Sequence, residues 1–169
     1  MGDAGKLVTE ADVEISEAID FAEYYRRSLL ELTSHEDLAY DPKGVILVAP
    51  PWNFPCAIPA GGVLAALAAG NVVLFKSARH TILVAWTLVQ IFWKAGVPKE
   101  VLQFVCGPAS EIGDPLIKDP RLNTVVLTGA TETARHMLSH RPNLDVMAET
   151  GGKNAIIVTA MADKDLAIR

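Results

Sequence analysis

An α/β fold with a Rossmann-like, doubly wound and mostly parallel sheet, preceded by an N-terminal amphipathic helix, follows from three observations. From Gly44 onward, β-branched apolar runs alternate with longer helical runs. The connections between them are short, which places successive elements side by side and favours right-handed crossovers. Glycine, proline or asparagine stands at most boundaries, where a helix must stop or a strand must turn.

Thr9-Glu10-Ala11-Asp12 has the pattern of a capping box opening the first helix. Ile15, Ala18, Ile19, Ala22, Tyr25 and Leu29 then recur at helical spacing. Asp12 and Glu14 at its start and Arg26 and Arg27 further on match the sign of the helix dipole. This helix packs on its own protein or on a partner. Thr33 to Asp41 is a polar connection. Gly44–Ala49 reads as a buried strand, and Ala60–Ala69 as a buried helix stopped by Gly70-Asn71. Then follow strand Val72–Lys76, helix His80–Ala95, strand Val101–Cys106 and a short helix over Ser110–Ile117 in spite of Pro115. Strand Thr124–Leu127, helix Thr131–Ser139, strand Asp145–Ala148 and strand Ala155–Val158 complete the alternation. Asp163 is expected to cap one more helix, within which the chain ends. A natural domain rarely stops inside an element, so the chain is expected to be cut from something longer.

Composition removes several function classes. The chain has 169 residues, half of them hydrophobic, and a formal charge of -5. A net acidic chain argues against general nucleic-acid or membrane-surface binding. No apolar run is long and uninterrupted enough to span a bilayer; Ile82–Trp93 comes nearest, and Lys94, Gly96 and Pro98 follow it. The opening residues lack a signal-peptide core. Cys56 and Cys106 show no metal or redox spacing, so a reduced, cytoplasmic setting is expected.

The chemistry concentrates where strands give way to helices. Pro50-Pro51-Trp52-Asn53-Phe54-Pro55 joins the first strand to the first helix after it, where open α/β sheets bind ligands. Three prolines stiffen that loop, so Asn53 can act as a preorganised amide donor; a proline-rich turn with a buried Trp and a capping Asn is the plainer reading. There is neither a Gly-x-Gly-x-x-Gly nor a P-loop. Gly107-Pro108-Ala109-Ser110 and Thr128-Gly129-Ala130-Thr131 each open a helix, whose free N–H groups can face an anion or simply complete a turn. Lys76 ends its strand at the carboxyl edge of the sheet, and Arg79 lies three residues on. Glu149, at the end of an apolar strand and before Gly151-Gly152, can be a general base or an acid beside a turn. His136 and His140 share a helix face, but no third ligand accompanies them in the sequence. They are read as a solvated face and no metal is expected. Cys56 lies beside the Asn53 loop without a nearby histidine.

Pro51-Trp52-Asn53-Phe54-Pro55, the Lys76 strand end, Thr128-Gly129-Ala130-Thr131-Glu132 and Glu149-Thr150-Gly151-Gly152-Lys153-Asn154-Ala155 together resemble the aldehyde dehydrogenase superfamily, in its order and at about its spacing. Ala148–Gly152 and the helix Glu10–Phe21 look most like the pyrroline-5-carboxylate dehydrogenase module, including that of bifunctional proline utilization A. That module oxidises glutamate semialdehyde to glutamate with NAD.

The resemblance implies an N-terminal helix and linker over residues 1–43 and a partial NAD(P)-binding domain over 44–169, with the catalytic domain absent. It implies catalytic roles for Asn53, as oxyanion donor, and Glu149, as activator of water. Pro51, Trp52, Asn53, Lys76, Arg79, Gly107, Gly129, Ala130, Thr150 and Gly151 would bind the cofactor, NAD with NADP also admitted. The family's catalytic cysteine lies beyond the general-base Glu, and neither Cys56 nor Cys106 matches it, so this chain would be inactive alone. An aldehyde would be a substrate only of the intact parent. Arg79 stands where an acid commonly meets the ribose hydroxyls, which implies weaker discrimination against NADP. Ala130 replaces a common serine, and the short Leu32–Gly44 link lacks a β-hairpin that often reaches a neighbouring subunit. Surfaces otherwise covered by the catalytic domain would promote self-association. Two other readings remain: a non-catalytic nucleotide-binding or assembly module, and a full enzyme using Cys56.

Overall fold

The computed structural model describes residues 2–167. Its centre is a five-stranded sheet in the order β3-β2-β1-β4-β5, comprising β1 (Val45–Ala49), β2 (Val72–Lys76), β3 (Leu102–Val105), β4 (Leu122–Gly129) and β5 (Asp145–Thr150). Every pairing is parallel. The chain steps outward from β1 to β3, then returns to place β4 on the other side of β1. The boundary between β1 and β4 is therefore the switch point, where the connections leave in opposite directions and open a crevice.

Two cores cover the two faces. Ile46, Val48, Val73, Phe75 and Leu102 pack beneath α2 (Ala57–Ala68) and α3 (Ile82–Lys94), which a short 3-10 turn, Arg79–Thr81, precedes. Leu47, Leu122, Val125 and Leu127 pack on the opposite side with Ile117 of α4 (Ala109–Lys118) and Met137 of α5 (Thr131–His140). The alternation along β1 sends neighbouring residues to opposite cores, as a strand's period of two requires. Pro115 lies inside α4, where it removes one backbone donor without ending the helix.

The first helix, α1 (Val8–Thr33), lies on α2. Two adjacent glycines make α2 thin enough to be sandwiched. A Cβ on Gly61 would meet the Phe21 ring of α1 at 3.2 Å, and one on Gly62 would meet Val48 of β1 at 3.0 Å. Helix α1 starts earlier than the capping-box reading places it: Leu7 is the N-cap, and Thr9 lies within the helix. Glu10, not Asp12, reaches back to accept the Leu7 N–H at 2.9 Å. The inward face also differs. Ala18, Phe21 and Tyr25 turn inward with Glu14, while Ile15 and Ile19 are 53% and 64% exposed. Apolar residues occupy more than one face of this helix, so periodicity alone does not select the packed one.

The N-terminal segment caps two helices that carry no cap of their own. The Glu14 carboxylate accepts from the N–H groups of Cys56 (2.9 Å) and Ala57 (3.1 Å) at the start of α2. Asp3 accepts from Leu83 (2.9 Å) and Val84 (3.1 Å) at the start of α3. Each supplies negative charge to free donors at the positive dipole end.

The expected strand Ala155–Val158 does not form. The run is irregular, with Ile156 81% and Ile157 88% exposed. A strand exists only with a neighbour to complete its hydrogen bonds, and β5 pairs with β4 alone among the described residues. Asp163 does cap α6 (Lys164–Ala167), accepting from Asp165 and Leu166 at 3.1 Å each. The remainder of that expected helix, Ile168 and Arg169, lies outside the described residues. Among the described residues, no helix is long and apolar enough to cross a membrane.

Candidate cofactor cleft

At the carboxyl ends of β1, β2 and β4 the switch point opens into a cleft of about 610 Å³, within the range of small-molecule sites. Four stretches meet there: Pro50–Asn53 after β1, Lys76 at the end of β2 with Ala78 beyond it, Thr128–Ala130 at the end of β4, and the facing sides of α4 and α5. Their convergence follows from topology, because each βα loop leaves the same edge of a parallel sheet.

The loop carrying Asn53 is fastened from the N-terminal side. Glu14 holds the backbone at Cys56, the Lys6 ammonium lies 3.9 Å from the centre of the Phe54 ring, and Lys6 also pairs with Glu14. Trp52 meets His80 edge to face at 6.5 Å. Asn53 itself is exposed and lines the cleft.

Lys76 is half-buried, and its ammonium donates to the Ser77 carbonyl at 3.2 Å. Burial pushes its pKa below the ordinary lysine value. A partly desolvated amine at the wall of a cleft is poised to donate to a polar ligand. Beside Lys76, the buried Ser77 hydroxyl has no hydrogen-bond partner.

Helix α5 starts at Thr131 with Ala130 as N-cap and no side-chain cap. Its first-turn donors therefore stay available near the cleft, although Thr133 N–H closes back on Ala130 at 3.1 Å. A Cβ on Gly129 would find nothing nearer than Leu127 at 3.9 Å, so the backbone there lies open to close approach. These donors, the Lys76 amine and the open backbone fit a dinucleotide with one anionic segment.

Glu149 lies elsewhere. It opens onto a second groove, of about 520 Å³, on the α2 side of the sheet, with Met147, Val126 and Tyr25 among its walls. The two cavities share Ala49, Pro50 and Thr128, so they adjoin over the ends of β1 and β4. In register, Glu149 pairs with Thr128 and Thr150 with Gly129.

The predicted residues thus separate into groups. Pro51, Trp52, Asn53, Lys76, Gly129 and Ala130 line the cleft. Thr150 and Gly151 do not line it, although Gly151 turns at φ +79° beside Thr131 of α5. Arg79 is exposed in the 3-10 turn, and Gly107 packs on Ile112; neither lines the cleft. Ala109, Gly113, Asp114, Thr133, His136 and Met137 line it without having been expected. They come from two helices that become neighbours only on the folded sheet; locally, only Ala109 in the Gly107–Ser110 turn and His136 on the histidine face stand out, and neither pattern places them at the cleft. Cys56 is half-buried, and desolvation, then the nearby Glu14 carboxylate, raise its pKa. That environment disfavours the thiolate a nucleophile requires.

The family model described as "Aldehyde dehydrogenase family" matches residues 1–169. The chain is 38% identical to a 1-pyrroline-5-carboxylate dehydrogenase of Bacillus pumilus (strain SAFR-032) over a 183-residue alignment, covering 98% of this chain and 36% of the relative. It is 40% identical, with the same coverage, to the enzyme of that name from Staphylococcus saprophyticus. Among solved structures, Proline Utilization A (PutA) from Corynebacterium freiburgense superposes with a TM-score of 0.82 at 42% identity, covering 98% of this chain and 17% of that one. The NADP-dependent glyceraldehyde-3-phosphate dehydrogenase of Bacillus halodurans C-125, complexed with NADP, gives 0.82 at 28% identity, covering 90% and 35%. The chain thus spans about a third of the length of the curated relatives it matches.

Proposed function

The chain belongs to the aldehyde dehydrogenase family, and from that premise we propose that it is the NAD(P)-binding part of an enzyme that oxidises glutamate semialdehyde to glutamate. The observation that carries this reading is the switch-point cleft, which gathers Asn53, Lys76 and the uncapped start of α5 around one space. The substrate assignment rests on the relatives named 1-pyrroline-5-carboxylate dehydrogenase.

Within the proposal, Lys76 donates to the ribose hydroxyls of the adenosine half, and the first-turn N–H groups of α5 face the pyrophosphate. Pro51 and Trp52 hold the loop side of the cleft. The bound dinucleotide supplies the hydride acceptor. Asn53 donates its side-chain amide to the substrate oxygen as negative charge develops there, a term worth most when the donor is held beforehand. Glu149, on the adjoining groove, takes a proton from water for hydrolysis of the acyl group. The nucleophilic thiol belongs to the parent's further length, since burial and the nearby Glu14 carboxylate disfavour the Cys56 thiolate. Residues 1–43 form the helix and linker that brace residues 44–169. A cytoplasmic setting belongs to the same proposal, as does self-association through exposed apolar residues such as Ile15, Ile19, Met147 and Ile157.

Titration of the 169-residue chain with NAD and with NADP tests the reading. Saturable binding, competed by adenosine, is expected, and Lys76→Met should weaken it by roughly five- to thirtyfold, the loss of about 1–2 kcal/mol of hydrogen bonding. Absence of saturable binding favours the non-catalytic assembly module. Arg79→Glu separates the cofactors: a fall in relative NADP affinity supports a phosphate contact by Arg79, and an unchanged ratio makes it a surface residue.

A further inference from the structure

The structure brings the Asp114 carboxylate, 22 residues away in sequence, to a pair of histidines one helical turn apart, and all three side chains are of types that ligate metals. His136 and His140 stand one turn apart on α5, and Asp114 of α4 faces them. One ligand atom from each lies within 4.8 Å of the others. Asp114 Oδ1 is 2.7 Å from His136 Nε2, and its Oδ2 is 3.4 Å from His140 Nε2. The two imidazole centres are 4.2 Å apart.

Zinc bonds of about 2.0–2.1 Å in a tetrahedron set ligands about 3.3 Å apart, so small side-chain rotations close this cluster on an ion. One imidazole is already oriented for it. His140 Nδ1 lies 2.9 Å from the backbone carbonyl of His136, an oxygen that only accepts. In the neutral ring Nδ1 therefore carries the proton and the Nε2 lone pair is directed toward the Asp114 side. A carbonyl acceptor on the far nitrogen is how metal-binding histidines are commonly held in tautomer and orientation. The carboxylate is engaged only by exposed groups: Lys118 donates to Oδ2 at 3.3 Å. That surface pair is weak, and a divalent ion can displace it.

We propose that Asp114, His136 and His140 form a binding site for a divalent transition-metal ion of the zinc class. The site joins α4 to α5 at the wall of the cleft, since Asp114 and His136 also line that space. Two imidazoles and one carboxylate leave a coordination position open to water or a ligand. Nitrogen and oxygen donors of this kind suit Zn²⁺, Co²⁺ or Ni²⁺, whereas Mg²⁺ and Ca²⁺ prefer all-oxygen shells.

The test titrates the full chain with Co²⁺ and Zn²⁺. One ion per chain is expected, with visible Co²⁺ bands and no thiolate charge-transfer band, which separates this site from Cys56 and Cys106. His136→Ala and His140→Ala should each weaken binding by at least about tenfold, because even loss of a supporting hydrogen bond around a metal costs that much. Asp114→Asn should act in the same direction. A second measurement needs no variant: Zn²⁺ should shift the imidazole nitrogen resonances of His136 and His140 but not those of His35 and His80. Absence of saturable binding, undiminished affinity in the histidine variants, or shifts confined to His35 and His80 overturns the assignment.

Discussion

Replacing Glu14 by alanine should cost far more stability than its position on a surface helix suggests. The residue is 2% exposed. One carboxylate oxygen accepts two backbone donors at the start of α2, at 2.9 and 3.1 Å. The other pairs with Lys6, whose side chain is 15% exposed. Truncation strands two donors and one largely buried ammonium. Loss of a helix cap costs about 0.5–2 kcal/mol, and breaking a buried pair from one side costs about 3–5 kcal/mol. These terms overlap, so a total of about 3–5 kcal/mol is expected, a large share of the 5–15 kcal/mol typical of a domain. At about 2–4 °C per kcal/mol for a chain of this size, Tm should fall by roughly 6–20 °C. Glu14→Gln keeps an acceptor for the α2 donors but also strands the Lys6 ammonium, so its fall should be smaller by the share of the cap alone, about 0.5–2 kcal/mol. Urea unfolding and a thermal scan of the three proteins measure both. The reasoning also implies a looser Asn53 loop in the alanine variant, seen as faster amide exchange at Cys56 and Ala57. A loss below about 1 kcal/mol for Glu14→Ala, or equal losses for Ala and Gln, refutes the capping account.

Lys76 should show function opposed to stability. Its folded pKa lies below its ordinary value of 10.5, so between the two the unfolded chain binds more protons and stability rises with pH. Below the folded pKa the full cost of burying the charge remains; Lys76→Met should therefore be at least as stable as wild type at neutral pH and lose that alkaline rise, as denaturant midpoints across pH will show. Iodoacetamide at neutral pH should modify exposed Cys106 before half-buried Cys56, whose pKa is raised, and peptide mass spectrometry reads the order. Faster modification of Cys56 would revive it as a nucleophile. The chain alone should form no reduced cofactor from glutamate semialdehyde; turnover abolished by Cys56→Ser would return the nucleophile to this chain. Light scattering should show concentration-dependent association, since Ile156 and Ile157 stand in solvent, and a clean monomer at high concentration counts against it.

Much of the architecture was legible in the sequence because its signals are local. An apolar run such as Val72–Val73–Leu74–Phe75 followed by a long apolar helix needs no distant partner to be recognised, and five parallel strands result. Asn53, Lys76, Gly129 and Ala130 were accessible for the same reason, since each lies at or just beyond the end of its own strand and all such ends share one edge. Tertiary structure decided the rest. Ile156–Val158 has strand composition but no neighbour to complete its ladder among the described residues. Ile15 and Ile19 share the helical period with Ala18 and Tyr25, yet Gly61 and the buried Glu14 select which face of α1 meets α2. Arg79 follows Lys76 by three residues, but the 3-10 turn carries it away from the cleft wall. Glu14 and Asp3 cap helices more than forty residues away, and Asp114 meets His136 across two crossover connections. Sequence by itself determined the elements and the edge at which they converge, because chain geometry within a few residues carries that information. Which side chains touch across the sheet was decided only when burial of two apolar faces brought separate helices to the same edge.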